Sequence, residues 1–267
     1  MEGGLKMKNQ AMRKLVDILY LFAPVISLGL FYLVWLNASS SNPDFIPSPV
    51  DAFQRFLLLL ERPVSKLTVL GHIFASLSRV LIAVGSATVF GVLFGILLGW
   101  NKTFFDIFSP IFEMLRPIPS IAWVPLITLW FGIGEFPKIM IVFIASLVSI
   151  VINTYTGVKM VDPFIIDVGR SFGVEGRSSL FEIIFPSALT AIFAGVRTSI
   201  GTGWMSLLAA EMITSKSGLG FLITRGMDST DTPLIIVGMV LVGAVGALLS
   251  LGLTYLERWL CPWRDEK

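Results

Sequence analysis

The residues of this chain that could do chemistry are few and scattered. The single cysteine, Cys261, excludes an internal disulfide and argues against a cysteine-based metal cluster. The single histidine, His72, has no cysteine partner, and we predict a solvated or interfacial position for it near an external helix end. No G-x-x-x-x-G-K-[ST] loop is present, so ATP binding in the P-loop manner is not expected. We therefore predict that the chain is not an enzyme and carries no catalytic residue, metal or cofactor of its own.

Three charged residues inside apolar stretches are more informative. Arg197 and Glu211 share the segment GVRTSIGTGWMSLLAAEMI, and Arg79 lies in an earlier one. A charge within a membrane span is costly, so it usually faces a cavity or a partner. Arg197 and Glu211 would be about 21 Å apart along one straight helix, so each needs another partner, or water. Snorkelling is the alternative for Arg79 and Arg197, and a structural or solvated position is the alternative for Glu211.

Charged residues within spans could line a pathway for a solute. Trp204 and Met205 lie between Arg197 and Glu211 and could line it, although core packing would also explain them. The stretch LRPIPSIAWVP is rich in proline and cannot form a straight helix. Irregular backbone at membrane depth is tolerated where protein or a wet cavity satisfies it, so this bend is expected beside the pathway or a packed interior. The candidate pathway-lining residues are Pro119, Trp123, Arg197, Trp204, Met205 and Glu211.

Composition places these residues in a membrane protein. The chain is 55% hydrophobic and 14% charged, with a mean hydropathy of +0.83, whereas soluble domains carry about 25% charged residues. A net charge of +2 is too small to indicate a nucleic-acid partner. The first apolar run, residues 15–36, is long enough to span a bilayer and lacks a convincing signal-peptide cleavage site. The predicted fold class is an all-α polytopic membrane protein.

Hydropathy and turn residues divide the chain into about six transmembrane helices. Residues 1–14 are expected to be a cytoplasmic segment, residues 15–256 the transmembrane domain, and residues 257–267 a cytoplasmic tail. Lys and Arg are about twice as frequent in the segments assigned to the cytoplasm as in the external ones, which agrees with this orientation. We expect a short amphipathic helix from Val50 and a loop at residues 215–232, both external. The six spans are predicted at residues 15–36, 73–100, 104–131, 137–158, 188–213 and 233–256.

A ridge of small residues runs along the second span. These residues recur every fourth position, and such a ridge lets another helix approach closely. Packing within the subunit and a seam between two subunits are both open interpretations. The ridge consists of Ala83, Ala87, Gly91, Gly95 and Gly99.

The polar loop Asp162–Pro186 separates the fourth and fifth spans. Asp162 followed by Pro163 is typical of a helix start, and Gly173 is placed to end that helix in a left-handed turn. A second short helix is expected from about Glu175 to Phe185, with Pro186 separating it from the next span. The loop could lie in the headgroup interface or be a docking site for another protein.

The spacing in this loop resembles the EAA loop of permease subunits in binding-protein-dependent ABC importers. Asp167, Val168 and Gly169 hold the Glu-Ala-Ala places, Gly173 holds the required glycine, and Ile183, Phe185 and Pro186 follow in register. In that family the loop is a coupling helix that lies in a groove of the cytoplasmic ATPase. The three substitutions in the Glu-Ala-Ala places bear on how tightly the first helix packs on its partner. The residues that the resemblance assigns to coupling are Asp167, Val168, Gly169, Phe172, Gly173, Val174, Glu175, Ile183 and Pro186.

Two further stretches are similar to the nitrate, sulfonate, taurine and bicarbonate branch of this family. LRPIPSIAWVPLITLWFGIG and GVRTSIGTGWMSLLAAEMI resemble the third and fifth spans of those permeases. The resemblance implies the type I importer permease fold, with a pathway for a small oxyanion on the two-fold axis of a homodimer. It also implies two cytoplasmic ATPase subunits that hold ATP and magnesium, an external solute-binding protein that chiefly selects the substrate, and the bacterial inner membrane. The alternatives are uptake of a thiamine precursor or other small organic solute, a secondary transporter, or a membrane scaffold.

Overall fold

All named elements in the described part of the chain are helices. The computed structural model describes the backbone of residues 2–43 and 45–260, and the side chains of residues 22–43 and 45–257. Residues 261–267 of the predicted tail, which include Cys261, lie outside the described residues, whereas residues 257–260 belong to α11 and not to a separate tail. The helices are α1 (Glu2–Ser41), α2 (Pro49–Glu61), α3 (Val69–Trp100), α4 (Lys102–Leu115), α5 (Val124–Phe131), α6 (Glu135–Lys159), α7 (Pro163–Ser171), α8 (Arg177–Ser179), α9 (Phe185–Thr214), α10 (Leu219–Asp228) and α11 (Thr232–Leu260).

The number of membrane-crossing segments agrees with the sequence prediction. Five of the described helical segments are long and apolar enough to cross a bilayer, and a sixth crossing results if one bent pair counts as a single span. The helix bounds differ from the prediction mainly in α1, which is helical from Glu2 and continues past the predicted end at residue 36 to Ser41. The five segments are Phe22–Ser41, Val69–Trp100, Glu135–Lys159, Arg177–Thr214 and Thr232–Glu257.

The bent pair is the predicted proline-rich span. Helix α4 ends at Leu115, a 3₁₀ turn covers Ser120–Trp123, and α5 follows, so that the two halves form an angle of 88°. The expectation that LRPIPSIAWVP would not form a straight helix is confirmed. Pro117 and Pro119 cannot donate backbone hydrogen bonds and their rings clash with the preceding turn, which breaks the helix.

Helices α3, α6 and α9 form the centre of the subunit and pack through small residues. A Cβ atom on Gly95 of α3 would lie 2.6 Å from Thr154 Cβ of α6. A Cβ on Gly195 of α9 would lie 2.8 Å from Asn153 Cβ of α6. Glycine is therefore what permits this helix spacing. The ridge on α3 packs against α6 within the subunit, as the first of the two interpretations predicts.

The segment predicted as an external loop, residues 215–232, contains helix α10, so that prediction is wrong. Leu219 and Leu222 of α10 are fully buried in the main apolar core. The backbone amide of Gly220 donates to Glu211 of α9, and that of Leu219 donates to Ser76 of α3. The first amides of α10 are thus satisfied by buried side chains of distant helices, a contact that local sequence does not reveal.

The predicted amphipathic helix before the second span is confirmed as α2. Pro49 occupies the first turn, and the Ser48 hydroxyl accepts a hydrogen bond from the Asp51 amide at 3.1 Å. The Asp51 carboxylate accepts in turn from the Ser48 amide at 3.1 Å, which completes a capping box. An ion pair of 2.7 Å between Arg55 and Asp231 ties α2 to the loop before α11.

Candidate functional site

Helix α7 begins the candidate coupling segment. The Asp162 carboxylate accepts a hydrogen bond of 2.9 Å from the Phe164 amide, and Pro163 occupies the first helical position. Both features match the predicted helix start. The carboxylate satisfies one of the amides that would otherwise lack an intrahelical partner, which fixes where α7 begins.

The turn after α7 has the predicted left-handed glycine. Gly173 has a φ of +82°. The Gly173 amide donates to the Arg170 carbonyl at 2.9 Å, and the Val174 amide donates to the Gly169 carbonyl at 3.0 Å. These two bonds form a Schellman motif, which stops the helix and sets the direction of the following chain.

The second half of the segment differs from the prediction. Helix α8 continues through a π-helical turn, Leu180–Ile184, into α9, so that residues 177–214 form one long helical segment. Pro186 lies within the first two positions of α9 and does not separate the segment from the span, so that expectation is wrong. The Phe185 amide donates to the Leu180 carbonyl across the wide turn. A helix that has already shifted to π spacing tolerates the missing Pro186 amide, because the regular bonding there is already interrupted.

Gly169 brings the two halves of the coupling segment into contact. It is buried, and a Cβ atom built on it would lie 2.2 Å from Ile183 Cδ1 and 3.9 Å from Val174 Cβ. Glycine in the second Ala place of the motif thus permits α7 to approach the π-helical turn very closely. Ile183 and Val174 are half-buried behind this contact.

The other side of the coupling segment is apolar and exposed. Phe172 is 83% exposed and Phe181 68% exposed, so the described side chains leave both largely uncovered. Asp167 and Arg170 form an exposed ion pair of 3.1 Å beside them, and Glu175 is exposed at the turn. Large exposed apolar patches on folded proteins typically mark interaction sites. The apolar side chains of this coupling face are Phe164, Ile165, Val168, Phe172 and Phe181.

The intramembrane charge Arg79 does not snorkel, contrary to one expectation. It is buried, and its guanidinium is held by two carboxylates. Nε and Nη2 donate to Glu135 at 2.5 and 2.8 Å, and Nη1 donates to Glu211 at 2.6 Å. Lys138, also buried, donates to Glu135 at 2.9 Å. The cluster pairs two cations with two carboxylates, which is the arrangement in which buried charges are tolerated.

Glu211 and His72 complete this cluster at the N-terminal end of α10. Glu211 is fully buried and accepts from the Ser76 hydroxyl at 2.8 Å in addition to Arg79 and Gly220. His72 is fully buried as well, so the expectation of a solvated histidine is wrong. Its Nδ1 accepts from the Gly218 amide at 3.1 Å, and its Nε2 lies 3.1 Å from the Val64 carbonyl. An amide can only donate and a carbonyl only accept, which assigns the proton to Nε2.

Arg197 also has a carboxylate partner. It forms an ion pair with Glu257 of α11, whose side chain is 4% exposed. The prediction that Arg197 and Glu211 find partners elsewhere, and not each other, is therefore confirmed. Trp204 lies in the main apolar core, whereas Met205 on the same helix is 73% exposed.

Pro119 and Trp123 line a cavity of about 420 Å³ between the bent span, α6 and α9. Ser120 lies on the same wall, and its hydroxyl is 2.6 Å from that of Ser206 on α9. Arg116 also lines this cavity. Sequence reasoning missed Arg116, although a cation immediately before a proline-broken stretch inside a span was a usable signal.

The geometry defines the chain as a multi-span helical membrane protein that has an exposed apolar segment between two spans and a broken span beside a cavity. Among the described residues, no group of three or more His, Cys, Asp or Glu side chains is placed to hold a metal ion. Residues 87–265 match the family "Binding-protein-dependent transport system inner membrane component". The chain belongs to this family and is a permease subunit of an ABC importer.

Several curated relatives are similar over almost their whole length. The taurine transport system permease protein TauC of Escherichia coli is 33% identical over 90% of this chain and 89% of its own length. The nitrate import permease protein NrtB of Synechocystis is 34% identical over the same shares. The bicarbonate transport system permease protein CmpB of Synechococcus elongatus is 32% identical over 97% of this chain and 94% of its own.

A solved structure has the same fold. The MetNI methionine ABC transporter in an inward-facing conformation matches with a TM-score of 0.59 and 17% identity, over 69% of this chain and 92% of the matched chain. This likeness confirms the predicted type I importer permease fold. The family match does not favour a secondary transporter or a membrane scaffold.

Proposed function

We propose that this permease imports a small oxyanion, delivered by an external solute-binding protein and driven by two cytoplasmic ATPase subunits. Two copies of the chain would form the pathway on a two-fold axis. ATP and magnesium would bind to the ATPase partners, since this sequence has no phosphate-binding loop. The taurine, nitrate and bicarbonate permeases similar to this chain support the substrate class, because each carries an oxyanion by name.

The observation that carries the coupling role is the exposed apolar face of the segment Asp162–Pro186. Phe172 is 83% exposed at the tip of the turn, next to a glycine whose φ of +82° is fixed by two backbone bonds. The two bonds hold the turn in one direction, and burying the face against a partner would stabilise the complex by roughly 1.5–3 kcal/mol for each large apolar side chain that becomes fully buried. A membrane interface would also accept apolar groups, but it would not require a fixed turn.

The charged residues support substrate selection outside this chain. Arg79 and Arg197 are both engaged by carboxylates of the same subunit. An oxyanion that bound either guanidinium would therefore compete with a carboxylate already paired with it. The external binding protein would then set the affinity for the solute, and the pathway would hold that solute only weakly.

The proposed orientation puts the coupling face in the cytoplasm of a bacterial cell, with the permease in the inner membrane. The excess of Lys and Arg in residues 1–14, the coupling segment and the tail supports cytoplasmic termini. The segments around α2 and α10 would then face the binding protein. Lipid would surround the remaining apolar surface.

The coupling role is tested by removing one exposed side chain on each side of the molecule. Phe172→Ala is expected to weaken co-purification of the ATPase subunit, while membrane abundance stays normal because the side chain makes no buried contact. Phe45→Ala is the matched control, since Phe45 is 80% exposed but lies in the loop before α2. Equal ATPase recovery for both variants, measured by quantitative pull-down at several dilutions, would refute the coupling role of this face.

A further inference from the structure

Arg116 occupies an unusual position at the break in the third span. It follows the last residue of α4, and it borders both the cavity of about 420 Å³ beside α6 and α9 and a neighbouring cavity of about 200 Å³ beside α4 and α6. Phe112 borders both cavities too, which shows that they adjoin. A polar ionisable group in such a place is a candidate functional residue.

The level of Arg116 follows from the α6 residues that share its cavities. The larger cavity reaches Ser149 of α6, and the smaller one begins at Val151. The boundary between the two cavities, at Ile150, lies about 22 Å along α6 from Glu135 and about 14 Å from Lys159 at the opposite end, and Arg116 lines both cavities. It is well inside the span, at a depth where a cation needs a partner or a wet cavity.

Arg116 differs from the other span arginines because no carboxylate in the described part of the chain pairs with it. Arg79 and Arg197 are each held in ion pairs. Among the described side chains, Arg116 forms no ion pair. Arg116 is exposed and lines both cavities, and no hydrogen bond among the described residues occupies its guanidinium donors.

Glu113 is the second charged residue at this place. It lines the smaller cavity together with Arg116, and the Ser109 hydroxyl donates to its Oε1 at 3.3 Å. Residues three apart on a helix have Cβ atoms about 5–6 Å from each other. The two side chains thus present one cation and one anion, close together and not bonded to each other, to the same small cavity.

We propose that Arg116 and Glu113 form a transient binding site for a zwitterionic solute that carries an oxyanion and an ammonium group a few bonds apart. The guanidinium contacts the oxyanion through paired N–H donors, and the carboxylate contacts the ammonium. A solute with only an anionic group would be repelled by Glu113, so the site favours an aminoalkanesulfonate over nitrate or bicarbonate. This inference rests on the proposed oxyanion importer and narrows its substrate class.

Binding at such a site has to be weak, since a pathway that held its solute tightly would not release it. The measurement is therefore ligand-observed NMR on the permease–ATPase complex without the binding protein, which isolates the permease. The probes are 2-aminoethanesulfonate and ethanesulfonate, which differ only in the ammonium group. The variants are Arg116→Gln, Glu113→Gln and the double variant, with Arg62→Gln, an exposed arginine remote from both cavities, as the control.

The two single variants have different expected results. Arg116→Gln should weaken the binding of both probes about tenfold, because each loses a charge-assisted hydrogen bond. Glu113→Gln should weaken the binding of 2-aminoethanesulfonate by a similar factor. The binding of ethanesulfonate should stay unchanged or become tighter. Arg62→Gln should change neither. Equal effects of Glu113→Gln on the two probes, or unchanged binding by Arg116→Gln, would overturn the proposal.

The double variant separates a solute site from a simple structural ion pair. If Glu113 and Arg116 only paired with each other, removing both charges would restore the binding of 2-aminoethanesulfonate that removing one charge weakens. If both contact the solute, the double variant binds 2-aminoethanesulfonate no better than the worse single variant. Failure of the proposed importer function would give a different result, because the assembled wild-type transporter would then show no solute uptake. Failure of this site alone would leave that uptake intact.

Discussion

Gly173 offers the sharpest test of how the coupling face is presented. Its φ of +82° lies in the left-handed region, and a Cβ atom added there would meet no other atom within 4 Å. A substitution at Gly173 is therefore strained by its backbone alone and not by crowding. The penalty for a left-handed alanine is roughly 1–2 kcal/mol, and a β-branched valine is a stronger outlier in that region. Asparagine tolerates the left-handed conformation better than either.

We expect the affinity for the ATPase subunit to fall in the order wild type, Gly173→Asn, Gly173→Ala, Gly173→Val. A penalty of about 1–2 kcal/mol corresponds to a factor of 5–30 in the population of the native turn, so ATPase affinity should fall by a similar factor in Gly173→Ala and further in Gly173→Val. The subunit should still insert, because the turn lies outside the spans. Gly85→Val is the matched control, since Gly85 lies within α3 with no atom within 4 Å of an added Cβ.

The assay compares membrane abundance, the dissociation constant for the ATPase subunit, and solute uptake for each variant. The decisive comparison is between asparagine and alanine. If Gly173→Asn, with the larger side chain, retained less affinity than Gly173→Ala, side-chain bulk and not backbone conformation would be responsible, and the reasoning would be refuted. Normal uptake by Gly173→Val would equally exclude a fixed turn.

Three other predictions follow from the core and the sequence. Glu211→Ala should destabilise the purified subunit by about 3–5 kcal/mol, since it leaves a buried charge under-compensated, whereas Glu135→Gln, at a side chain 61% exposed, should have a smaller effect; equal shifts in thermal unfolding would contradict this. Gly95→Leu should destabilise α3 packing by at least 1–3 kcal/mol, roughly the cost of overpacking, because even a Cβ would lie 2.6 Å from Thr154; stability equal to a Gly85→Leu control would count against it. The purified chain should hydrolyse no ATP until a P-loop partner is added, and activity in a partner-free preparation would disprove this.

Patterns that depend on neighbouring residues were predictable from the sequence. Hydropathy was enough to predict about six spans, of which five are continuous helical segments and the sixth is the bent pair, because long apolar segments are typical of membrane helices. The helix start at Asp162 and the left-handed turn at Gly173 depend on hydrogen bonds within a few residues, so local residue types were sufficient. The spacing of the coupling segment was enough to indicate the family.

Contacts between distant segments were decided only by the tertiary structure. The partners of Arg79 lie 56 and 132 residues along the chain from it, and nothing in the local sequence distinguishes a paired arginine from one that snorkels. His72 and helix α10 were mispredicted for the same reason, since each is buried by residues from other helices. The continuation of α8 into α9 depends on a π-helical turn, a shift in hydrogen-bond register that Pro186 alone did not reveal. Arg116, too, gains its significance from the two cavities that it lines, one beside α6 and α9 and the other beside α4 and α6. Local interactions fix where helices begin and end, whereas the partners of buried charges depend on how those helices pack.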